Sequence, residues 1–541
     1  MSSNSKEYFL NPILAGFYPD PAICRVGEDY YLINSSFSYY PGVPIFHSRD
    51  LVHWNQLGHI LNRPEQLNLD ELTVSQGIYA PTISYNDGIF YMITTLVGRG
   101  GNFVVTTEDP AGPWSNPFWI PDIVGIDPSI FFDDDGKAYI IHNGEPPGAK
   151  PLYKGHRALW LLEFDKHSKK VVGKRHLLVD GGTNIKEKPV WIEGPHIFKK
   201  DGYYYLLCAE GGTSINHSQV VFRSKNVKGP YESYEKNPIL TQRHLDPKRK
   251  NPVTNTGHAD FVQTQNGEWW AVFLACRPYD EENHFNTGRE TFLAPVEWID
   301  GWPKVNLGGE EVKFKYPVPN LPKADRTEFP LNGNFILRDD FNDEYLAPYW
   351  IFLRSYRDEW LQPQRVKGHL SLRLRPEIIE DKANPSFLGR RQQHTNCYAS
   401  VALNFTPEKE KETAGIMAFQ NGFYYYLGKT LSGTKQVVQL KSHSYTAIKI
   451  ELSEEDAKKP LFLKIEAKGK FYNFYYATTP NEWRVVKENM DGNLLSTDYA
   501  GGFVGVVFGM YASSQKRQSE NYAHFDWFEY KGYDPIFDIN K

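Results

Sequence analysis

Hydrophobic and polar residues alternate in short runs through most of the chain, and the runs stop at Gly, Asn, Asp or Pro. Strands joined by tight turns produce this pattern, whereas helices would give a period near 3.6. Within the first three hundred residues the runs belong to a longer unit. A special residue, usually followed by Pro, precedes a short apolar run, a polar turn and a second run of aromatics and aliphatics. Asp20-Pro-Ala-Ile-Cys leads to Glu28-Asp29-Tyr30-Tyr31-Leu32, and Ala80-Pro-Thr-Ile-Ser leads to Asp87-Gly88-Ile-Phe-Tyr91. Asp127-Pro-Ser-Ile-Phe leads to Asp135-Gly136-Lys-Ala-Tyr139, and Gly194-Pro-His-Ile-Phe to Asp201-Gly202-Tyr-Tyr-Tyr205. The fifth copy runs from His258-Ala-Asp-Phe-Val to Asn266-Gly267-Glu-Trp-Trp270. Each copy predicts a strand, a hairpin turn and a second strand. The spacing of about fifty to sixty-five residues leaves room for two more strands per copy. Four-stranded units repeated radially predict a five-bladed β-propeller.

In a propeller the first strand of every blade lines the central axis, so equivalent positions face one another at one end of the channel. Those positions are Asp20, Ala80, Asp127, Gly194 and His258, with Glu193 one residue ahead of Gly194. Taken alone, Asp20 in Pro-Asp-Pro reads as a turn residue. The repeat instead predicts three carboxylates and a histidine converging at one place, where like charges repel unless the site uses them. A polar centre that only binds water or an ion is the competing reading.

Two carboxyls across a sugar define glycoside hydrolysis, one protonating the leaving oxygen and the other activating water or attacking the anomeric carbon. Glu193 is flanked by Trp191, Ile192, Gly194 and Pro195, an apolar setting that favours a protonated acid. Asp20 is the better candidate for an ionised base.

The segments NPILAGFYPDP, GIDPSIFFDDDGKAYI, WIEGPHIFKKDGYYYL, NTGHADFV and TGRETFLAPVEW carry a resemblance. In this order they look like the motif set of glycoside hydrolase family 43, in particular its two-domain β-xylosidases and α-L-arabinofuranosidases. The resemblance implies inversion of configuration, with Asp20 as general base, Asp127 as modulator of the acid's pKa and Glu193 as general acid. It also implies that Arg289 hydrogen-bonds the sugar and that Phe37 forms an aromatic wall. His258 would stand at the propeller centre, where in some relatives a histidine helps hold a hydrated calcium. A hydrogen-bonding role is equally compatible, because neutral histidine is an unusual calcium ligand. One departure stands out: this chain reads Gly77-Ile78-Tyr79-Ala80-Pro81-Thr82 where xylosidases of the branch usually have Trp at the position of Tyr79. The substitution changes the pocket wall and leaves xylose and arabinofuranose both open.

A proline-rich stretch, Tyr316-Pro317-Val318-Pro319-Asn320-Leu321-Pro322, divides the chain. We expect a propeller over residues 1–320 and a second domain over 331–541. The second half alternates from LRDDFNDEYLAPYW through FVGVVFGMYA to AHFDWFEY, predicting a β-sandwich. It resembles the lectin-like, concanavalin A-like sandwich of the same family branch, whose implied role is to cover one side of the pocket so that only chain ends enter. Asp340 and Asp526 could pair around a calcium between its first and last strands, or be ordinary surface acids. No cofactor is required by this chemistry, and calcium in a structural role is the one metal the resemblance raises.

The chain has 541 residues, too many for one ordinary core. A formal net charge of −5, without a basic stripe, argues against nucleic-acid and membrane partners, and the family resemblance implies a small oligosaccharide as substrate. Self-association stays open. Aromatics at 15% suit strands and also supply flat faces for sugars. Cys24, Cys208, Cys276 and Cys397 lie far apart, with no CxxC, so reduced thiols are expected. The N-terminus has no apolar signal core, which fits a cytoplasmic protein, although a trimmed secreted form would read the same.

The leading expectation is therefore an exo-acting inverting enzyme releasing terminal β-D-xylose, and also α-L-arabinofuranose, from hemicellulose oligosaccharides. A dedicated α-L-arabinofuranosidase is the nearest alternative. A retaining fructosidase fits less well, since those enzymes carry Asn-Asp-Pro and Arg-Asp-Pro. A carbohydrate-binding propeller that has lost its chemistry is the second alternative, and intact Asp20, Asp127 and Glu193 argue against it. A propeller that only binds a protein through its loops would have no reason to gather three acids and an arginine at the axis.

Overall fold

The computed structural model describes residues 7–324, 327–357, 359–443 and 447–538. All five predicted copies are antiparallel blades whose innermost strands are Ala22–Val26, Gly77–Asn86, Gly125–Phe132, Glu193–Lys200 and Thr254–Gln263. These strands touch one another in a closed ring. The ring is locked by the N-terminal segment. Asn11 donates its side-chain amide to the Leu293 carbonyl at 2.8 Å and accepts the Leu293 N–H at 2.9 Å. Leu14 bridges Thr291 beside it, so this N-terminal segment lies along the fifth blade.

The five equivalent positions share a backbone conformation as well as a place. Asp20, Ala80, Asp127, Gly194 and His258 have φ of 52°, 31°, 53°, 55° and 48°. In blades two to five the ladder slips at this point, between Tyr79 and Thr82, Ile126 and Ser129, Glu193 and His196, and Gly257 and Asp260. A bulge re-aims a side chain out of the pleat. Repeated in four of the five blades, it re-aims the residues at and beside the equivalent positions, among them Asp127, Glu193 and His258, toward the channel mouth. Left-handed backbone is costly for non-glycine residues, and such strain concentrates at functional sites. Proline follows the strained residue in four blades, at a place where a ladder asks for no N–H donor.

The second half folds as two sheets packed face to face, as the alternation predicts. One sheet contains Asn396–Asn404, Leu461–Lys468 and Tyr522–Gly532, and the other contains Thr413–Gln420, Phe423–Ser432 and Val507–Ser513. The outermost strand of the second sheet comes from the propeller. Tyr39–Tyr40 pairs with Ile351–Leu353, in the register Tyr39 to Leu353 and Tyr40 to Phe352. The two domains thus share a sheet. They also share an apolar cluster in which Phe17, Phe37 and Tyr39 pack with Phe419, Val504, Val507 and Tyr511.

A buried ion network joins them further. Arg277 binds Glu290 through Nε at 2.6 Å and Nη2 at 2.9 Å, and reaches Asp534 of the sandwich through Nη1 at 2.8 Å. Glu290 also accepts N–H and O–H donors from Gly16 and Thr287. Residue 290 follows Arg289 directly, so this network fixes the backbone that carries Arg289. The four cysteines are unpaired, and Cys208, Cys276 and Cys397 are buried.

Candidate active site

The equivalent ends of the innermost strands bring Asp20, Asp127, Glu193 and His258 together on the wall of a single cavity of about 490 Å³, with Arg289, Phe37 and Tyr79 beside them. All seven residues expected in the sugar pocket therefore meet. The cavity also takes Trp191 and, from the sandwich, Phe503.

Asp20 is the most heavily bonded of the acids. Its Oδ1 accepts from Arg289 Nη1 at 2.9 Å, and its Oδ2 accepts from the Ser35 hydroxyl at 2.6 Å. The same Ser35 oxygen accepts the Ala80 N–H at 2.7 Å, tying blade one to the bulge of blade two. His258 Nδ1 stands 3.7 Å from Oδ1. Burial pushes the Asp20 carboxyl up, but Arg289, His258 and Ser35 together outweigh it and hold the group below its ordinary value. Burial also pushes His258 down to about 4, so the ring is neutral at physiological pH. Gly194 makes room for that ring: a Cβ there would lie 2.8 Å from His258 Nε2.

Asp127 and Glu193 have the opposite electrostatics. Burial, then the Asp20 charge, pushes Asp127 up to about 7, partly offset by the Gly194 N–H at 3.2 Å. Glu193 is raised well above its ordinary value by burial and by both neighbouring aspartates. Of the two, Glu193 holds the proton, because Asp127 accepts a backbone N–H that favours its ionised form. The site thus separates one ionised carboxylate from one protonated one.

The rest of the pocket is aromatic. Phe37, Tyr79 and Phe503 form a mutual triad with ring centroids 5.4 to 6.2 Å apart. The Arg289 guanidinium lies 5.8 Å from the Phe37 ring and 5.5 Å from that of Phe503. The hydroxyl that Tyr79 brings in place of tryptophan donates to the Ser75 carbonyl at 2.6 Å. Tyr79 therefore offers the cavity a ring face with its polar end already engaged.

Several residues sit away from this centre. Glu210 receives the Thr183 N–H at 2.9 Å and its hydroxyl at 3.1 Å, so it fastens a loop. Asp340 pairs with Arg338 on the sandwich surface, and the neighbouring Asp339 is the residue that binds Tyr349 and Trp350. Asp526 is exposed on the last strand. Among the described residues no cluster of three metal-ligating side chains occurs. Two contributors escaped the sequence reading. Ser35 lies in an unremarkable Asn-Ser-Ser-Phe run, and Phe503 lies far from the repeat in a glycine-flanked loop.

Comparison with known proteins agrees with this geometry. Residues 9–303 match the model for glycosyl hydrolases family 43, and residues 338–531 match that for the beta xylosidase C-terminal concanavalin A-like domain. The chain belongs to glycoside hydrolase family 43. It is 43% identical over 527 residues to a xylosidase/arabinosidase of Butyrivibrio fibrisolvens, covering 96% of this chain and 98% of that one. A non-reducing end alpha-L-arabinofuranosidase of Bacteroides ovatus is 38% identical, with 98% and 96% covered. The crystal structure of a xylan beta-1,4-xylosidase from Bacillus halodurans superposes with a TM-score of 0.87 at 33% identity, covering 97% of this chain and all of that one. As a member of family 43, the protein is a glycoside hydrolase built on a propeller and a concanavalin A-like sandwich.

Proposed function

We propose that this enzyme removes a terminal pentose, β-D-xylose or α-L-arabinofuranose, from hemicellulose oligosaccharides with inversion. The observation that carries the reading is the pairing of an ionised Asp20 with a protonated Glu193 on the wall of one cavity. Asp20 takes a proton from a water that attacks the anomeric carbon, while Glu193 gives its proton to the departing glycosidic oxygen. The C1–O bond breaks as the new C1–O bond forms on the opposite face, and proton transfer to solvent restores both carboxyls. Asp127 keeps Glu193 protonated by like-charge repulsion. Arg289 holds Asp20 ionised and is placed to bond a sugar hydroxyl. Phe503 walls off the sandwich side, which supports attack at chain ends.

A preference for arabinofuranose has one observation in its favour: Tyr79 stands where xylosidases of the branch usually carry tryptophan. Initial rates on an aryl β-D-xylopyranoside and an aryl α-L-arabinofuranoside, with the released anomer followed by NMR, test both readings. Turnover of either with inversion supports the mechanism, and the rate ratio identifies the sugar. Turnover of neither, or retention, would overturn it.

A further inference from the structure

Trp191 has several features that the reaction as described does not use. Of the described aromatics lining the cavity it is the most exposed, at 36%. Its φ is 51°, a strained conformation for a bulky side chain. That strain is held by the chain around it. Its N–H donates to the Gly155 carbonyl of the preceding blade at 2.9 Å, and the Gly211 N–H, in the blade that Trp191 leads into, donates to the Val190 carbonyl at 2.8 Å. One side of the ring is backed by Arg157, whose guanidinium carbon lies 4.8 Å from the centroid. Arg157 is itself fixed: it donates to Asn143 Oδ1 from Nε at 3.1 Å and Nη2 at 2.9 Å, and pairs with Glu145. Asn143 in turn donates to the Ile192 carbonyl at 2.6 Å, bracing the residue between Trp191 and Glu193. A large aromatic is thus strained, buttressed and left open to the cavity two residues from the proton donor.

Glu193 delivers its proton to the leaving oxygen, so whatever is attached to that oxygen lies on the side of the cavity nearest Glu193. We propose that Trp191 is a stacking platform for the leaving group, selecting a second sugar ring over a small alcohol. This rests on the glycosidase reading above. A flat ring held rigid on one face pays little entropy to receive a pyranose on the other, which is why Trp recurs at binding hot spots. The residue sets specificity on the leaving-group side, while Phe37, Tyr79 and Phe503 shape the side that holds the terminal pentose.

The test compares two glycosides of whichever pentose the wild-type enzyme prefers: its methyl glycoside and its disaccharide with a xylopyranose leaving group. Both need the proton from Glu193, and only one presents a ring. For Trp191→Ala we expect kcat/KM on the disaccharide to fall roughly 10- to 50-fold, against less than about threefold on the methyl glycoside. Trp191→Phe should recover most of the loss, and the alkaline limb of the pH profile should not move in either variant. Equal losses on the two substrates, or a shifted limb, would mean that Trp191 only positions Glu193 and would overturn the platform. Unchanged rates on both would overturn it too. A wild-type enzyme that turns over neither substrate would sink the glycosidase reading itself, and the platform with it.

Discussion

The backbone N–H of Phe503, in the sandwich, donates to the hydroxyl of Ser75, in the propeller, at 3.0 Å. That hydroxyl donates onward to Asn421 Oδ1 at 2.9 Å, while the Ser75 carbonyl accepts from Tyr79. One serine therefore fixes two of the three rings that shape the sugar pocket. The approach is close: a Cβ on Gly502 would lie 2.1 Å from the Ser75 hydroxyl. Ser75→Ala removes two hydrogen bonds, each contributing about 1 kcal/mol. We expect KM to rise roughly five- to tenfold with a smaller change in kcat, and Gly502→Ala to do the same by displacing Phe503. Steady-state kinetics decide it, and an unchanged KM in both variants would mean that Phe503 holds its place without Ser75.

The two working carboxyls should fail differently. Glu193→Ala should lower kcat by about 10²- to 10⁴-fold on glycosides with poor leaving groups, and by less on aryl glycosides whose leaving groups need little protonation. Asp20→Ala should lose activity on both kinds, because each needs the attacking water activated. Both variants should keep the wild-type circular dichroism spectrum. Near-normal rates in either would remove that residue from the mechanism.

Asp127 raises Glu193 by repulsion, second only to burial. Asp127→Asn removes that charge and so lowers the pH at which Glu193 ionises. The alkaline limb of kcat/KM should therefore move to lower pH, with the acidic limb little changed. A stationary alkaline limb would assign Asp127 another role.

Arg289 has the converse effect. Burial alone would push Asp20 up, and the guanidinium is the largest influence opposing it. Arg289→Gln should let the Asp20 pKa rise, so the acidic limb should move to higher pH and activity near that limb should fall. A pH–rate profile reads this directly, and an unmoved acidic limb would argue against Asp20 as the base.

The buried bridge from Arg277 to Glu290 and Asp534 predicts a stability effect. Arg277→Ala leaves two carboxylates buried without their cation, which costs about 3–5 kcal/mol when one partner of such a network is removed. Burial raises Asp534, yet Arg277, His394 and its hydrogen bonds hold it below its ordinary 3.8. Its contribution is therefore present above that value and is lost as pH falls through the lower folded one. Thermal unfolding of Arg277→Ala at neutral pH should show a clearly lowered midpoint. An unchanged midpoint would mean that the shared sheet and apolar cluster hold the domains without this network.

The sequence by itself determined the blades, their number and the three acids at their mouths. Alternation, Asp-Gly turns and a special residue before proline are encoded within ten or so residues, and the repeat then places Asp20 and Asp127 at equivalent positions, with Glu193 one residue ahead of the next such position at Gly194. It also made Glu193 the better acid through its apolar neighbours. The tertiary structure decided what symmetry could not reach. Ser75 and Phe503 are 428 residues apart, and neither carries a local signal of the other. The pairing of Tyr39–Tyr40 with Ile351–Leu353 is equally invisible along the chain, because any short aromatic strand could have filled that edge. Protonation states belong to the same class. Asp20 and Asp127 both precede proline in the same left-handed backbone conformation, yet one gains Arg289 and Ser35 while the other gains a single N–H and a charged neighbour. Their chemistry diverges because electrostatic free energy depends on what lies within a few ångströms in space, and the folded chain alone sets those distances.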